Sequence, residues 1–303
     1  MVKALCPLLA DVVRSFFIGN YFYGLCAVAL SAEASLQQRF PLNHWLYYAG
    51  LFLCTVVFYT HAYLGHGAIE SSDMRVRWYA RNHKLVGITQ ILWTVLIIWI
   101  AWALLRSVPD AVRSLSRGDA TLALLFPITG LAYYGSGAVG LRRVGWLKPF
   151  VIAFVWAGVV TIYPVLFHQV ARGGGYAFTF TGLLLFLKNF MFFGMLAILF
   201  DIKDHAADHR GSLYTFIVQR GLRSTLFRLV IPLSALGLGT FVIYGASHGF
   251  SPFKILLNTL PFPLVFAVAY SLRRRRSIMY YLVVVDGLLL VKAICGGIAM
   301  RFF

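Results

Sequence analysis

The sequence predicts an all-α membrane protein with nine transmembrane helices, and three observations support this prediction. Hydrophobic residues make up 60% of the 303 residues and charged residues only 12%. The mean hydropathy is +0.78, which leaves too little polar surface for a soluble protein. Apolar stretches of about 20 residues, the length that crosses a bilayer as a helix, recur along the whole chain.

The nine predicted segments are, in chain order, 15–33, 43–64, 85–105, 121–141, 147–167, 176–200, 226–246, 255–272 and 279–300. The first is expected to stay in the protein as a helix, because Asp11 and Arg14 interrupt the apolar N-terminal stretch and no A-x-A cleavage site follows. The third and fourth are separated by a polar connection at 106–120. Since no Ser/Pro linker or separate soluble region interrupts the series, residues 1–303 are expected to form one domain.

The distribution of Lys and Arg predicts the orientation of these segments. With the N-terminus in the cytoplasm, 18 of the 27 basic residues fall in the N-terminal tail and in inward loops near 65–84, 142–148, 201–228 and 273–276. Seven fall on the opposite side and two, Lys188 and Lys292, lie within segments. Because basic residues favour cytoplasmic loops, we expect a multi-pass protein of the bacterial inner membrane with its N-terminus inside.

The net charge of +17 is explained by this topology. The basic residues flank membrane segments, and no nucleic-acid-binding motif accompanies them, so no nucleic-acid partner is expected. The run Arg273–Arg276 is typical of a topological anchor that attracts anionic membrane lipid. Contact with a phosphorylated ligand is the alternative interpretation of this run.

Three of the ten acidic residues lie within eight positions, directly after the sixth segment: Asp201, Asp204 and Asp208. Their i, i+3, i+7 spacing places them along one face of a helix, where like charges need a counter-charge. Mg²⁺ prefers such oxygen ligands and completes its coordination with water and substrate phosphate. Nearby cations could stabilise a leaving diphosphate, namely Lys203, Arg210, Arg220 and Arg223. The alternative is a solvated helix end that pairs its aspartates with these cations.

The segment D-I-K-D-x-x-x-D-x-x-G that starts at Asp201, with Thr215 and Gly221 downstream, resembles the second aspartate-rich motif of the UbiA superfamily of intramembrane prenyltransferases. Residues 147–164 are similar to the fifth segment of family members, with Lys148 at the inner edge and Trp156 in the middle. The resemblance covers the whole chain in architecture and about 40 residues in sequence.

The resemblance implies nine helices around a central cavity that opens laterally to lipid. Two aspartate-rich loops would hold Mg²⁺ and a prenyl diphosphate, and Asp201, Asp204 and Asp208 would be both the catalytic residues and the metal ligands. The prenyl group would pass through a carbocation-like species to a lipophilic acceptor. Aromatic walls suit such a species, since ring faces stabilise cations. Lys148, Lys203 and Arg210 would contact the substrate.

The first motif departs from the family pattern. Family members carry N-D-x-x-D-x-x-x-D at the inner end of the second segment, whereas this chain reads YTHAYLGHGAIESSDMRVR from position 59 to 77. Glu70 and Asp73 could form part of a rebuilt metal site. Alternatively the loop has lost metal binding, and Arg75 and Arg81 bind phosphate directly or serve as topological anchors.

Charged and amide side chains inside the segments are further candidates, because polar groups in the membrane are costly. Lys188 could point toward the diphosphate or pair with Asp286. Asn20 lies where family members place a cavity-facing Asn, and an interhelical hydrogen bond is the alternative. Asp286 and Lys292 are expected to pair with other helices and not with each other.

Two classes of function remain open on the sequence. The first is a prenyltransferase acting on an isoprenyl diphosphate and a lipophilic acceptor. The second is a catalytically inactive or repurposed protein of the same fold that binds a lipid or isoprenoid, which the altered first motif favours. A CDP-alcohol phosphotransferase is disfavoured because the D-G-x-x-A-R element is absent, and no paired half-helices suggest a transporter.

Overall fold

The computed structural model describes residues 11–64, 73–108, 115–134, 144–210, 221, 224–247, 249–274 and 276–303, without the side chains of 204–210, 226 and 247. Within these ranges every regular element is a helix, which agrees with the predicted all-α class. The helices are α1 (Asp11–Ile18), α2 (Tyr21–Gln37), α3 (Trp45–His61), α4 (Met74–Arg81), α5 (His83–Ser107), α6 (Arg117–Tyr134), α7 (Lys148–Val170), α8 (Phe180–Arg210), α9 (a π turn Leu226–Val230 continued by Ile231–Ser247), α10 (Pro252–Thr259), α11 (Pro261–Ser271) and α12 (Ile278–Phe302).

Six helical stretches within the described ranges are long and apolar enough to cross a membrane. They are α5, α7, the first 24 residues of α8, α9, the α10–α11 pair and α12, and the bent pair α1–α2 makes a seventh if it is one span. Two predicted segments are shorter: α3 has 17 residues and α6 has 18. At 1.5 Å per residue these reach about 26 Å, slightly less than the apolar thickness of a bilayer.

The first predicted segment contains a bend that its apolar composition did not indicate. The axes of α1 and α2 differ by 62°. Between them Asn20 has the left-handed backbone conformation, with φ 67°, which Asn adopts more readily than most residues. The bend presents the Asn20 side chain at the end of the bundle where α2 begins.

The core lies where α2, α7, α8 and α12 meet. α8 lies against α7, and α2 lies against α12 and α3. Their shared interior contains fully buried side chains such as Ile18, Leu30, Phe192 and Leu199. These four helices therefore form the rigid frame that positions polar side chains between them.

α5 has the opposite environment. Only 6% of its most apolar window is buried, and large side chains such as Ile88, Ile91 and Val95 are more than half exposed. A helix that is apolar on all sides must bury that surface in a core or in lipid. α5 is therefore a lipid-facing helix at the edge of the bundle.

Candidate functional site

A cavity of about 190 Å³ opens between the helices at the end of the bundle where α2, α7 and α12 begin. Charged residues and aromatic residues line it together. The lining residues are Tyr23, Tyr59, Ala62, Tyr63, Arg75, Tyr133, Tyr134, Lys148, Ile152, Trp156, Phe193, Leu196, Ala197, Phe200, Asp201, Asp286 and Leu289. We call this space the aromatic cavity.

An ion pair between Lys148 and Asp201 lies in its wall. Lys148 is the first residue of α7 and Asp201 lies near the end of α8, and these two helices pack together. The Lys148 Nζ lies 2.5 Å from the Asp201 Oδ1, and Asp201 is buried. The predicted inner-edge lysine and the first aspartate of the triad therefore share one wall of the cavity.

Arg75 enters the same cavity from α4 and is held by a buried network. Its Nη2 donates to the Asn20 Oδ1, and the Asn20 Nδ2 donates to the Thr60 Oγ1 at 3.0 Å and to the Tyr79 hydroxyl at 2.9 Å. The guanidinium carbon lies 4.4 Å from the centre of the Tyr63 ring. The Nε of Arg75 is buried and lacks a hydrogen-bond partner among the described residues, and Arg75 is one of the residues that line the cavity.

Asp286 and Tyr23 form a second carboxylate site in the cavity. The Tyr23 hydroxyl donates to the Asp286 Oδ2 at 2.6 Å. Asp286 directly follows a π turn in α12, Tyr281–Val285, and such turns rotate the following side chains relative to a regular helix. The turn helps to aim this carboxylate at α2. Asp286 thus pairs with Tyr23, not with Lys188 or Lys292.

The remaining wall is a connected set of aromatic rings. Tyr23 stacks on Tyr59 with 4.7 Å between the ring centres. The indole N–H of Trp156 donates to the Tyr59 hydroxyl at 2.5 Å, and Trp156 also contacts Phe193, at 5.7 Å between ring centres. These rings could stabilise a positive charge in the cavity.

The two acidic stretches come together at this end of the bundle, as far as the structure describes them. The Lys203 Nζ lies 3.9 Å from the Asp73 Oδ2, and Asp73 also caps α4 by accepting from the backbone N–H of Arg75 at 2.7 Å. Position 73 therefore lies next to the C-terminal part of α8, beside the cavity that Arg75 and Asp201 line.

Other predicted site residues lie elsewhere or outside the description. Arg81 is exposed at the end of α4 and does not line the cavity. Lys188 lies 13 residues before Asp201 on α8, about 20 Å along the helix, in a separate polar cluster with Gln37. Asn20 is not among the residues that line the cavity, but it accepts a hydrogen bond from Arg75, which is. Glu70 lies outside the described residues, as do the side chains of Asp204, Asp208 and Arg210.

The predicted magnesium ligands on α8 are at positions 201, 204 and 208. Among the described side chains, no three His, Cys, Asp or Glu residues lie close enough to hold a metal ion. The backbone of α8 is helical as far as Arg210, so positions 201, 204 and 208 do share one side of a helix. Carboxylates at these positions match the oxygen ligands that Mg²⁺ takes, and the donor set is compatible with the ion.

Sequence reasoning did not assign a cavity role to Tyr23, Tyr59 or Asp286. Asp286 could have been found as an acidic residue inside an apolar segment, which indicates function by default. The two tyrosines carry no comparable signal, because aromatic residues are common along the whole chain.

Comparison with known proteins finds no match: neither a family model, nor a curated protein, nor a solved structure matches this chain.

Proposed function

We propose that this chain is an intramembrane prenyltransferase of the UbiA type, which transfers a prenyl group from an isoprenyl diphosphate to a lipophilic acceptor. The observation that supports this most strongly is the aromatic cavity. It combines Arg75, Lys148 and Asp201 with a wall of aromatic rings, which suits a molecule with an anionic head and an apolar tail.

In this proposal the diphosphate lies against the cations. Arg75 supplies a guanidinium group and Lys148 an ammonium group, and both would stabilise negative charge as the allylic C–O bond breaks. The rings of Tyr59 and Trp156 would face the cationic carbon of the prenyl group. Asp286, hydrogen-bonded by Tyr23, would hold the proton that the acceptor releases.

Mg²⁺ belongs to the same proposal. Asp201, Asp204 and Asp208 would hold it, with Glu70 and Asp73 as further ligands from the first motif. The ion, when bound, neutralises the charge of the diphosphate.

The proposal includes nine spans with the N-terminus in the cytoplasm. Asn20 contacts Arg75, Lys203 contacts Asp73, and Lys148 contacts Asp201, so the beginnings of α2, α4 and α7 and the inner end of α8 lie at one end of the bundle. To return to the same end of the bundle, the chain must cross an even number of times between the beginnings of α2 and α4, and again between α4 and the beginning of α7. This supports α3 as the second crossing of the first interval and α6 as the second crossing of the next. Together with α9, α10–α11 and α12, this makes nine.

The test is binding of radiolabelled farnesyl diphosphate to the purified protein in detergent, with and without Mg²⁺. We expect the Arg75→Gln and Asp201→Asn variants to bind at least about tenfold more weakly, because each loses a charged contact. Arg81→Gln is the matched control for Arg75→Gln, since it removes an exposed arginine of the same helix, and it should bind as the parent does. Parent protein that does not bind the diphosphate would refute the proposal.

The second candidate function is a repurposed protein of this fold that binds an isoprenoid or lipid without transfer. This candidate is supported by the ion pairs of the two motif carboxylates that the structure describes. Asp201 lies close to the ammonium of Lys148, and Asp73 lies close to that of Lys203. Competition separates the candidates. A repurposed lipid-binding protein should take farnesol about as well as farnesyl diphosphate, whereas a prenyltransferase should strongly prefer the diphosphate.

A further inference from the structure

A second polar cluster lies inside the bundle at the end away from the aromatic cavity. It joins Glu33 and Gln37 on α2, Lys188 on α8, Asn258 on α10 and Lys292 on α12. All five residues are at most 8% exposed. Such a set within apolar helices is costly unless every charge has a partner.

Two neighbouring side chains donate hydrogen bonds to Glu33, one to each carboxylate oxygen. The Lys292 Nζ donates to its Oε2 at 2.9 Å, and the Gln37 Nε2 donates to its Oε1. The same amide nitrogen donates to the Asn258 Oδ1 at 2.9 Å. The negative charge of Glu33 is therefore matched by the positive charge of Lys292.

Lys188 has no such counter-charge. Its Nζ donates to the amide oxygen of Gln37 at 3.0 Å and lies 4.4 Å from the centre of the Phe241 ring. No carboxylate in the described part of the chain lies within 4.0 Å of this ammonium. The cluster as described therefore contains two cations, Lys188 and Lys292, and one anion, Glu33. The unmatched cation is Lys188, which is only 3% exposed.

A small cavity adjoins this ammonium. Its volume is about 20 Å³, and Lys188, Gln37 and Phe241 contribute to its lining. Two hydroxyls, of Thr181 and Tyr244, also line it and lie 3.3 Å apart. The space is sufficient for one water-sized particle, and its lining includes an ammonium group and the Thr181 hydroxyl.

We propose that this cavity, the Lys188 pocket, binds one small monovalent anion such as chloride. The anion would supply the missing counter-charge for Lys188 and accept hydrogen bonds from the ammonium and from the Thr181 hydroxyl. The volume excludes a diphosphate or a lipid headgroup, so this site is distinct from the aromatic cavity and independent of the prenyltransferase proposal.

The test is equilibrium dialysis of the purified protein in neutral detergent against ³⁶Cl⁻. Parent protein should bind one chloride per chain in a saturable manner, and Lys188→Gln should bind at least about tenfold more weakly, because the charged donor is lost. Arg106→Gln is the control. The Arg106 guanidinium also lies over an aromatic ring, 4.3 Å from the centre of Trp102, but neither residue lines the pocket, so its loss should not change chloride binding.

A second measurement does not depend on the folding of the variant. The melting temperature of the parent should rise with sodium chloride relative to sodium gluconate at equal ionic strength, because gluconate is too large for the pocket. An absence of saturable ³⁶Cl⁻ binding to the parent, or equal binding by Lys188→Gln, would overturn the proposal. The first result would mean that Lys188 is held as a neutral amine.

Discussion

At the scale of single residues, Asn20 does more than its position suggests. Its left-handed backbone produces the bend between α1 and α2, and its side chain links Arg75 to Thr60 and Tyr79. One residue therefore sets both the path of the chain and the orientation of the guanidinium in the aromatic cavity.

Substitution of Asn20 separates these two roles. Asn20→Gly keeps a residue that tolerates positive φ but removes the hydrogen bonds that hold Arg75. We expect a loss of about 2 kcal/mol in unfolding free energy and weaker farnesyl diphosphate binding. Asn20→Asp keeps an acceptor for Arg75, so it should bind the diphosphate better than Asn20→Gly. Thermal unfolding and diphosphate binding measure the two effects, and equal binding by both variants would contradict the anchoring role.

Some side-chain pairings could be predicted from the sequence and others could not. The spacing correctly indicated that Asp286 and Lys292 would not pair with each other. Both pair with the same helix, α2, through Tyr23 and Glu33. The placement of Lys188 was not predictable. Spacing along α8 tells which face a side chain occupies, but its partner depends on which helix packs there, and that packing is set by contacts distant in sequence.

At the scale of elements, α6 and α7 approach closely at a glycine. Gly158 lies in the π turn Gly158–Ile162 of α7, and a Cβ at this position would overlap the ring of Phe126, which is buried on α6. The missing side chain lets the ring of one helix lie directly on the backbone of the other.

Gly158→Ala should therefore destabilise the protein by about 1–3 kcal/mol through overpacking. Phe126→Leu in the same chain should recover part of the loss, since it withdraws the ring that the new methyl group meets. Gly87→Ala is the matched control. It lies on the lipid-facing helix α5 with open space at its Cβ, so it should be neutral or slightly stabilising. Thermal melts in detergent test this, and additive effects in the double variant would rule out the contact.

A reciprocal cap begins α6 and binds it to the segment before α8. The Ser116 hydroxyl donates to the Asp119 Oδ2 at 2.6 Å, and the backbone N–H of Asp119 donates to the Ser116 Oγ at 3.1 Å. The backbone N–H of Tyr176 donates to the Asp119 Oδ1 at 2.7 Å. The hydrogen bonds from Ser116 and Tyr176 hold the pKa of the Asp119 carboxyl below its usual value.

This lowered pKa predicts a pH dependence of stability. A carboxyl whose pKa is lower in the folded state stabilises the fold above its unfolded pKa, about 4, and the contribution disappears as the pH falls through the folded-state pKa. Asp119→Asn should therefore cost about 1–2 kcal/mol at pH 7, and the difference from the parent should shrink in acid. Melting temperatures from pH 7 to pH 3 measure this, and a gap that widened in acid would refute it.

Element by element, the predicted segments agree well with the helices, because an apolar run of membrane length has few alternatives to a helix. The predicted segment 279–300 corresponds to α12, Ile278–Phe302. The breaks inside segments were not predicted. The break between α10 and α11 divides the predicted segment 255–272, and apolar periodicity does not report such local changes of axis.

At the scale of the whole molecule, the contacts at the cavity constrain the topology. Positions 20, 75, 148 and 201 meet at one end of the bundle, and the basic loops predicted to face the cytoplasm include three of them. Charge distribution and side-chain contacts are independent observations, and both favour the same arrangement of inward loops.

The side of the membrane on which the C-terminus lies tests that arrangement, because it depends on whether the number of crossings is odd or even. With the N-terminus in the cytoplasm, nine crossings place Phe303 outside, whereas eight crossings would place it inside. Alkaline phosphatase fused after Phe303 should be active in bacterial cells and green fluorescent protein at the same site should be dark, because each reporter works on only one side of the inner membrane. Fusions at the 273–276 loop should give the opposite pattern. If a reporter at the N-terminus places that end in the cytoplasm, a fluorescent C-terminal fusion would remove one crossing, and the short helices α3 and α6 would be the first to re-examine, since each is slightly shorter than the apolar layer. Loss of the α6 crossing would place Arg75 and Asp201 on different sides of the membrane, and loss of the α3 crossing would separate Asn20 from Arg75. Either result would refute the shared cavity on which the prenyltransferase proposal depends.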